Sequence, residues 1–149
     1  MMLRKWENLP DFLRTPEIKP YYDGLKKKSG SLVLKRVFDI VVSAILLIIL
    51  SPIILILAIA IKLDSPGPVF YRQVRVTQYG RRFKIHKFRS MCDGADKKGT
   101  LVTVGNDSRV TRVGKLVRKC RLDEIAQLID LLKGDMTFVG VRPEVVKYV

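Results

Sequence analysis

Residues 40–61 read IVVSAILLIILSPIILILAIAI, an apolar run without a charged side chain that decides the fold. As an α-helix, this run is long enough to cross a bilayer core about 30 Å thick. Pro52 lies at its middle and lacks the N–H that would bond the carbonyl one turn back. The hydroxyl of the preceding Ser51 is placed to donate to such a freed carbonyl. The run therefore predicts a membrane helix with a break at Ser51-Pro52.

Basic residues flank this run on both sides. Those before it are Lys26, Lys27, Lys28, Lys35 and Arg36, and those after it are Lys62, Arg72 and Arg75. A spanning helix keeps its basic residues mainly on the cytoplasmic side. We therefore expect a re-entrant helix that bends and returns to the cytoplasmic face. A proline-kinked helix that spans the membrane is the alternative.

Arg36 and Asp39 stand where the chain enters the apolar run. Their i,i+3 spacing allows an ion pair at the membrane interface. The alternative is that Asp39 caps the backbone or reaches toward the lipid headgroups. We expect both residues to mark the membrane entry.

The chain is strongly basic, with 28 Lys and Arg against 14 Asp and Glu in 149 residues, a net charge of +14. Such a charge predicts anionic partners: nucleic acid, anionic lipid or phosphorylated substrates. The apolar run favours anionic membrane lipid. The two cysteines are too few for a disulfide scaffold and are expected to stay reduced.

The sequence divides into an N-terminal surface arm over 1–31, a re-entrant membrane helix over 32–62 and a cytoplasmic catalytic domain over 63–149. Residues 69–76 and 81–88 read as strands around a turn, which predicts a short β-hairpin. Apolar residues from Leu122 to Leu132 recur at helical spacing, and Gly134 follows where that helix would end. The expected fold class is α+β, mainly helical, with amphipathic surface helices.

Asp123 and Glu124 begin this last predicted helix. An ionised Asp123 could attack a phosphoryl group, and Glu124 could hold a divalent metal ion. Helix capping is the competing interpretation, because acids at helix N-termini are common. Basic residues favour a phosphate site, since arginine binds phosphate bidentately. The candidates are Lys87, Arg89, Arg109, Arg112 and Arg142.

Nine motifs occur in the order found in one family. They are Lys35-Arg36-x-x-Asp39, Ser51-Pro52, Ser65-Pro66-Gly67-Pro68-Val69-Phe70, Arg72-Gln73-x-Arg75, Phe83-x-x-x-Lys87-Phe88-Arg89-Ser90-Met91, Asp107-x-Arg109-x-Thr111-x-x-Gly114, Leu122-Asp123-Glu124-x-x-Gln127-Leu128, Gly134-Asp135-Met136 and Val139-Gly140-x-Arg142-Pro143-Glu144. Over roughly residues 32–149 the chain resembles the bacterial sugar transferases, monotopic polyprenyl-phosphate phosphoglycosyl transferases.

The resemblance implies transfer of a sugar-1-phosphate from a UDP-sugar to undecaprenyl phosphate at the cytoplasmic face of the bacterial inner membrane. This step initiates exopolysaccharide, capsule, lipopolysaccharide O-antigen or glycoprotein glycan synthesis. The resemblance implies that Asp123 is the nucleophile and forms a covalent phosphosugar intermediate. It also implies that Glu124 binds Mg²⁺ and that Arg89 and Arg142 contact substrate phosphate.

Three departures from the family pattern accompany the resemblance. Ile125-Ala126 replaces the usual Leu-Pro after the acidic pair, and Val141 replaces the usual Pro before Arg142. Family members usually continue well past the Arg-Pro-Glu segment, whereas this sequence stops at Val149. We therefore expect a truncated product or a fragment.

Two alternatives to an active enzyme follow from the sequence. One is a catalytically inactive membrane-bound remnant or regulatory partner of such an enzyme. The other is a membrane-anchored nucleic-acid binder, which only the charge supports, because the sequence contains no standard nucleic-acid motif. We expect no nucleic-acid partner.

Overall fold

The structure is a computed structural model that describes residues 3–95 and 107–146. Its helices are α1 (Lys19–Lys27), α2 (Ser29–Asp64), α3 (Arg112–Lys119) and α4 (Leu128–Lys133), and its strands are β1 (Phe70–Val76), β2 (Arg82–Phe88) and β3 (Glu144–Val145). Short 3₁₀ turns lie at Trp6–Asn8, Asp11–Leu13, Gln78–Gly80 and Leu122–Gln127. The predicted α+β, mainly helical fold class is confirmed.

The apolar run lies within α2, which continues without interruption through Pro52. Pro52 leaves the carbonyl of Ile48, four residues earlier, without its helical N–H partner. The Ser51 hydroxyl donates to that carbonyl with an Oγ–O distance of 2.7 Å. The expected hydrogen bond of Ser51 is thus confirmed. The expected break is not seen, because residues on both sides of Pro52 belong to one continuous helix.

One face of α2 packs against protein, and the rest of the helix is exposed. The buried residues are Asp39, Ser43, Leu57 and Ile61. Ile48, Ile49, Leu55 and Ile56 are each more than 60% exposed. By length and composition α2 is able to cross a membrane. Its exposed apolar face is therefore suited to contact lipid.

The N-terminal part of α2 binds the segment around the end of α4. Arg36 donates to the carbonyls of Leu131 and Leu132 at 2.6 and 2.7 Å, in the last turn of α4, where carbonyls lack helical N–H partners. The Leu131 carbonyl also accepts from the Gly134 N–H. Asp39 accepts hydrogen bonds from the Thr137 hydroxyl at 2.7 Å and the Phe138 N–H at 3.2 Å. Arg36 and Asp39 therefore bond to the segment around the end of α4 and form no ion pair with each other, while their position at the membrane entry stays a prediction.

The C-terminal part of α2 belongs to the main core. Leu57 and Ile61 cluster there with Phe88, Val117 and Ala126. These residues bring together α2, the β-hairpin, α3 and the 3₁₀ turn Leu122–Gln127, called here the 122–127 turn. Both ends of the membrane helix are therefore attached to one domain.

The sheet has the strand order β2-β1-β3, and the predicted hairpin is confirmed. β1 and β2 pair antiparallel from Phe70↔Phe88 to Val76↔Arg82. Tyr79 and Gly80 close the hairpin with φ values of 64° and 71°. Phe83 and Ile85 are buried on one face, as predicted for alternating strand residues.

The N-terminal arm contacts the turn of the hairpin. The guanidinium carbon of Arg4 lies 5.0 Å from the centre of the Tyr79 ring. The Tyr22 hydroxyl of α1 donates to the Arg4 carbonyl at 2.8 Å, and the Tyr22 ring packs edge-on against Trp6. The described part of this arm therefore packs its short helix α1 and its 3₁₀ turns against the hairpin, whereas residues 29–31 belong to α2.

The predicted helix from Leu122 onward is split into two elements. The 122–127 turn is 3₁₀, and α4 continues from Leu128 until Gly134, whose φ of 82° ends the helix as predicted. Because a 3₁₀ turn has three residues per turn instead of 3.6, the buried face shifts. The buried apolar residues are accordingly Ala126, Leu128 and Leu131.

Candidate active site

The two predicted catalytic acids lie in the 122–127 turn. Arg121 precedes it in the left-handed region, with φ 57°, and so separates the turn from α3. The Glu124 N–H donates to the Arg121 carbonyl at 3.3 Å. Asp123 and Glu124 are both half-buried. The turn therefore places the two carboxylates side by side, partly exposed to solvent, next to the core residue Ala126.

Glu124 is bound by cations from two other segments. Arg142 Nη2 lies 2.5 Å from Glu124 Oε1, and Lys87 Nζ lies 3.7 Å from the same oxygen. Partial burial raises the pKa of Glu124, but the Arg142 hydrogen bond and the positive charges of Arg142, Lys87 and Arg121 outweigh it. The pKa of Glu124 therefore lies below its usual value, and the side chain is ionised at neutral pH.

Asp123 has a different environment from its neighbour. Within residues 3–95 and 107–146, no group donates a hydrogen bond to the Asp123 carboxylate, and no cation pairs with it. A carboxylate without such partners keeps its oxygen lone pairs available for attack on an electrophile. The site therefore combines a free acid with one that cations hold.

The sheet brings Arg142 to Glu124. β3 pairs with β1 through Arg75↔Val145, and Arg75 Nη1 donates to the Pro143 carbonyl at 3.4 Å. The side chain of Arg142 remains 55% exposed beside Glu124. It is therefore accessible to an anionic ligand from solvent.

Lys87 reaches the site from the end of β2. A buried pair holds this part of the strand: Asp130 accepts from the His86 backbone N–H at 2.8 Å and contacts His86 Nδ1 at 2.6 Å. Asp130 is completely buried in α4. The pair fixes β2 against α4 and so positions Lys87 over Glu124.

Arg89 does not reach this site. It is 5% exposed, and its guanidinium donates to the carbonyls of Ile61, Ser65 and Pro66 and to the Ser65 hydroxyl. A Cβ at Gly67 would lie 2.2 Å from Arg89 Nη1, so only glycine fits there. In this structure Arg89 thus stabilises the backbone at the end of α2, and its phosphate-binding role stays a prediction.

Arg109 and Arg112 also lie with other partners. Arg109 Nη2 is 2.6 Å from the Asp107 carboxylate, and its hydrogen bonds lower the pKa of Asp107 to about 2. Arg112, at the start of α3, acts electrostatically on Asp64. Of the predicted phosphate-binding residues, the structure brings only Lys87 and Arg142 to Glu124.

A family model described as "Bacterial sugar transferase" matches residues 30–149. The chain belongs to the bacterial sugar transferase family. The match includes α2, both acids and every basic residue placed at the site, so the expected family is confirmed.

Named relatives of this sugar transferase act on undecaprenyl phosphate. A UDP-N-acetylgalactosamine-undecaprenyl-phosphate N-acetylgalactosaminephosphotransferase of Aeromonas hydrophila is 48% identical over 111 residues, which cover 74% of this chain and 26% of the relative. A UDP-glucose:undecaprenyl-phosphate glucose-1-phosphate transferase of Escherichia coli K12 is 44% identical over 115 residues, 77% of this chain and 25% of the relative.

An exopolysaccharide production protein of Rhizobium leguminosarum bv. phaseoli is 47% identical over 112 residues, which cover 74% of this chain and 56% of that protein. The matched part of this sugar transferase thus spans between about a quarter and little more than half of these three relatives.

A groove of about 390 Å³ adjoins the Glu124 carboxylate of the sugar transferase. One side of the groove is the middle of α2, and the other side is formed by the 122–127 turn and α4. Its lining residues are Leu46, Leu50, Arg121, Glu124, Ile125, Gln127, Leu128, Leu131, Met136, Thr137 and Phe138.

Sequence reasoning gave no role to Arg121, Gln127 or Asp130. The one available signal in the sequence was the charged Asp130 among the apolar residues of α4, since a buried acid needs a polar partner.

Proposed function

We propose that this sugar transferase moves a sugar-1-phosphate from a UDP-sugar to undecaprenyl phosphate. The observation that carries the proposal is the free Asp123 carboxylate beside Glu124, whose charge Lys87 and Arg142 balance. The names of the relatives, which include UDP-sugars and undecaprenyl phosphate, support this choice of substrates.

In the first half-reaction, an Asp123 oxygen attacks the sugar-linked phosphorus of the UDP-sugar. The bond from this phosphorus to the bridging oxygen breaks, and UMP leaves with that oxygen. The product is an acyl phosphate that joins Asp123 to the sugar. Arg142 and Lys87 supply positive charge where an anionic nucleophile meets an anionic diphosphate.

In the second half-reaction, a phosphate oxygen of undecaprenyl phosphate attacks the same phosphorus. The acyl phosphate bond breaks, and the Asp123 carboxylate is regenerated as undecaprenyl diphosphosugar leaves. Two successive displacements let a soluble donor and a lipid acceptor use one nucleophile in turn.

Glu124 is the residue we propose to hold Mg²⁺. Both cations approach its Oε1, whereas Oε2 has no such partner among the described residues. The described residues form no group of three ligating side chains, but Mg²⁺ commonly binds one or two carboxylates together with substrate phosphates. When bound, the ion would neutralise diphosphate charge during phosphoryl transfer.

We place this chemistry at the cytoplasmic face of the bacterial inner membrane, beside anionic lipid. Arg36 near the start of α2 and Asp64 at its end both bond to the one catalytic domain. A helix so attached favours a re-entrant arrangement, because a spanning helix would carry its ends to opposite sides. The basic residues at both ends agree with a cytoplasmic location.

A transfer assay tests the proposed function. The chain in lipid nanodiscs is incubated with Mg²⁺, polyprenyl phosphate and either UDP-N-acetylgalactosamine or UDP-glucose labelled in the sugar. The proposal expects label in the lipid fraction, and it expects loss of that label in Asp123→Asn. Asp23→Asn, an exposed acid in α1, is the matched control. No transfer with either donor would favour a catalytically inactive remnant.

A further inference from the structure

The groove beside the active site has one wall from the membrane helix. Leu46 and Leu50 are four residues apart in α2 and therefore lie on one face of it. Ile125, Leu128 and Leu131 form the opposite wall. Ile48 and Ile49, the neighbours of Leu50, are 74% and 63% exposed. The groove thus has two apolar walls and lies next to the exposed apolar surface of α2.

Charged residues also line the groove. They are Arg121 and Glu124, and Glu124 is also part of the candidate active site. The positively charged Arg121 has no hydrogen-bond acceptor for its side chain in residues 3–95 and 107–146. The lining therefore combines hydrocarbon with charge.

Gln127 is a further polar residue of the lining. It is 7% exposed, it lines the groove, and its Nε2 has no hydrogen-bond partner among the described residues. Burial of an amide N–H without an acceptor is unfavourable, and buried donors nearly always have a partner. An unpartnered donor beside a groove therefore points to a ligand that carries an oxygen acceptor.

The shape and chemistry of the groove select an amphipathic ligand. Its apolar walls match a hydrocarbon chain, and Arg121 with Gln127 matches an anionic oxygen-bearing head. A volume of about 390 Å³ is small for a ligand site, so it accommodates a head and the adjoining carbons. The remainder of a long chain would leave along α2 into the bilayer.

We propose that this groove binds the phosphate-proximal isoprenyl units of the acceptor lipid, with Gln127 donating a hydrogen bond to its phosphate. The inference rests on the proposed function, which supplies the acceptor. It assigns Leu46, Leu50 and Gln127 to acceptor binding and leaves the donor half-reaction to Asp123, Lys87 and Arg142.

Kinetics that separate the two substrates test the assignment. Leu50→Trp fills the groove, and Gln127→Leu removes the donor. Both should raise the acceptor KM by about tenfold or more. Release of UMP in the absence of acceptor should stay at the wild-type rate. Ile49→Trp, one residue from Leu50 but on the exposed face, is the matched control and should leave the acceptor KM unchanged.

Photo-crosslinking keeps the inference testable if a variant folds poorly. A polyprenyl phosphate with a diazirine in its first isoprene unit should label the groove residues of the wild-type chain, and unlabelled polyprenyl phosphate should compete. Labelling elsewhere, or equal acceptor KM values for Leu50→Trp and Ile49→Trp, would overturn the groove assignment. Absence of both UMP release and transfer in the wild type would instead overturn the proposed function.

Discussion

Glu124 shows how residues distant in the sequence create one electrostatic environment. Lys87 comes from β2 and Arg142 from the segment before β3, yet both approach Glu124 Oε1. A carboxylate with a lowered pKa stabilises the folded state above its ordinary pKa and loses that contribution as the pH falls through the folded value. The ion pairs at the site are therefore fully formed at neutral pH and weaken in acid.

Replacement of Arg142 is predicted to change the acid side of the pH profile. In Arg142→Gln the pKa of Glu124 should rise, because a hydrogen bond and a positive charge are lost. The acidic limb of the activity profile should then move to higher pH, together with a loss of about tenfold or more in rate at neutral pH. Arg82→Gln, an exposed strand residue, is the control. An unchanged acidic limb in Arg142→Gln would contradict the view that Arg142 sets this limb by lowering the pKa of Glu124.

Arg89 is predicted to matter for stability instead of phosphate binding. Its guanidinium bonds the backbone at the end of α2, and Arg89→Met would leave those buried carbonyls unpaired. The expected loss is about 3 kcal/mol of unfolding free energy, which thermal unfolding in detergent would measure. The donor KM of the remaining folded protein should stay unchanged. A raised donor KM with normal stability would restore the phosphate-binding interpretation.

The sequence predicted the acids, Lys87 and Arg142 through motifs whose chemistry suits phosphoryl transfer. It could not separate these from Arg89, Arg109 and Arg112. The reason is physical, since an arginine binds a helix-end carbonyl, a neighbouring carboxylate or a phosphate equally well by residue type. Only the fold determines which acceptor lies within reach.

At the scale of elements, the sequence identified α2, the hairpin and the end of α4 at Gly134. A long apolar run, the alternation of apolar and polar residues in a strand and a glycine after a helix are local signals. The elements that they predicted are present in the structure. The split of the predicted final helix was missed because it depends on the left-handed Arg121 and on buried contacts such as Asp130 with His86. Those contacts join residues far apart in the chain.

Ser51 and Pro52 are predicted to be energetically coupled within α2. Ser51→Ala should lower the unfolding free energy by about 1 kcal/mol, because the Ile48 carbonyl loses its partner. In a Pro52→Ala background the restored N–H bonds that carbonyl, so the same change should cost much less. Thermal unfolding of the four proteins gives the coupling energy. Equal costs of Ser51→Ala in both backgrounds would contradict this role.

At the scale of the whole molecule, residues after α2 bond to both ends of this helix. Arg36 bonds the end of α4, and Asp64 accepts from the Val113 N–H at 2.9 Å. The gap beneath the middle of α2 is the groove that leads to the acids. This arrangement joins a helix that is long and apolar enough to cross a membrane directly to the candidate active site.

Topology is predicted to be re-entrant in a cell membrane. Cysteines introduced at Lys28 and Arg72, both exposed, flank α2 in a background with Cys92 and Cys120 changed to serine. An impermeant maleimide should label both positions in inside-out vesicles and neither in right-side-out vesicles. Labelling of the two positions from opposite sides would establish a spanning helix.

The most direct test of the account is the intact mass of the protein after incubation with Mg²⁺ and UDP-N-acetylgalactosamine or UDP-glucose, without acceptor. The account predicts a mass increase of one sugar phosphate on Asp123 and one equivalent of UMP, with loss of the adduct when polyprenyl phosphate is added. Asp123→Asn should show no adduct. Lipid-linked product formed by Asp123→Asn at the wild-type rate, or an adduct on another residue, would contradict Asp123 as the nucleophile.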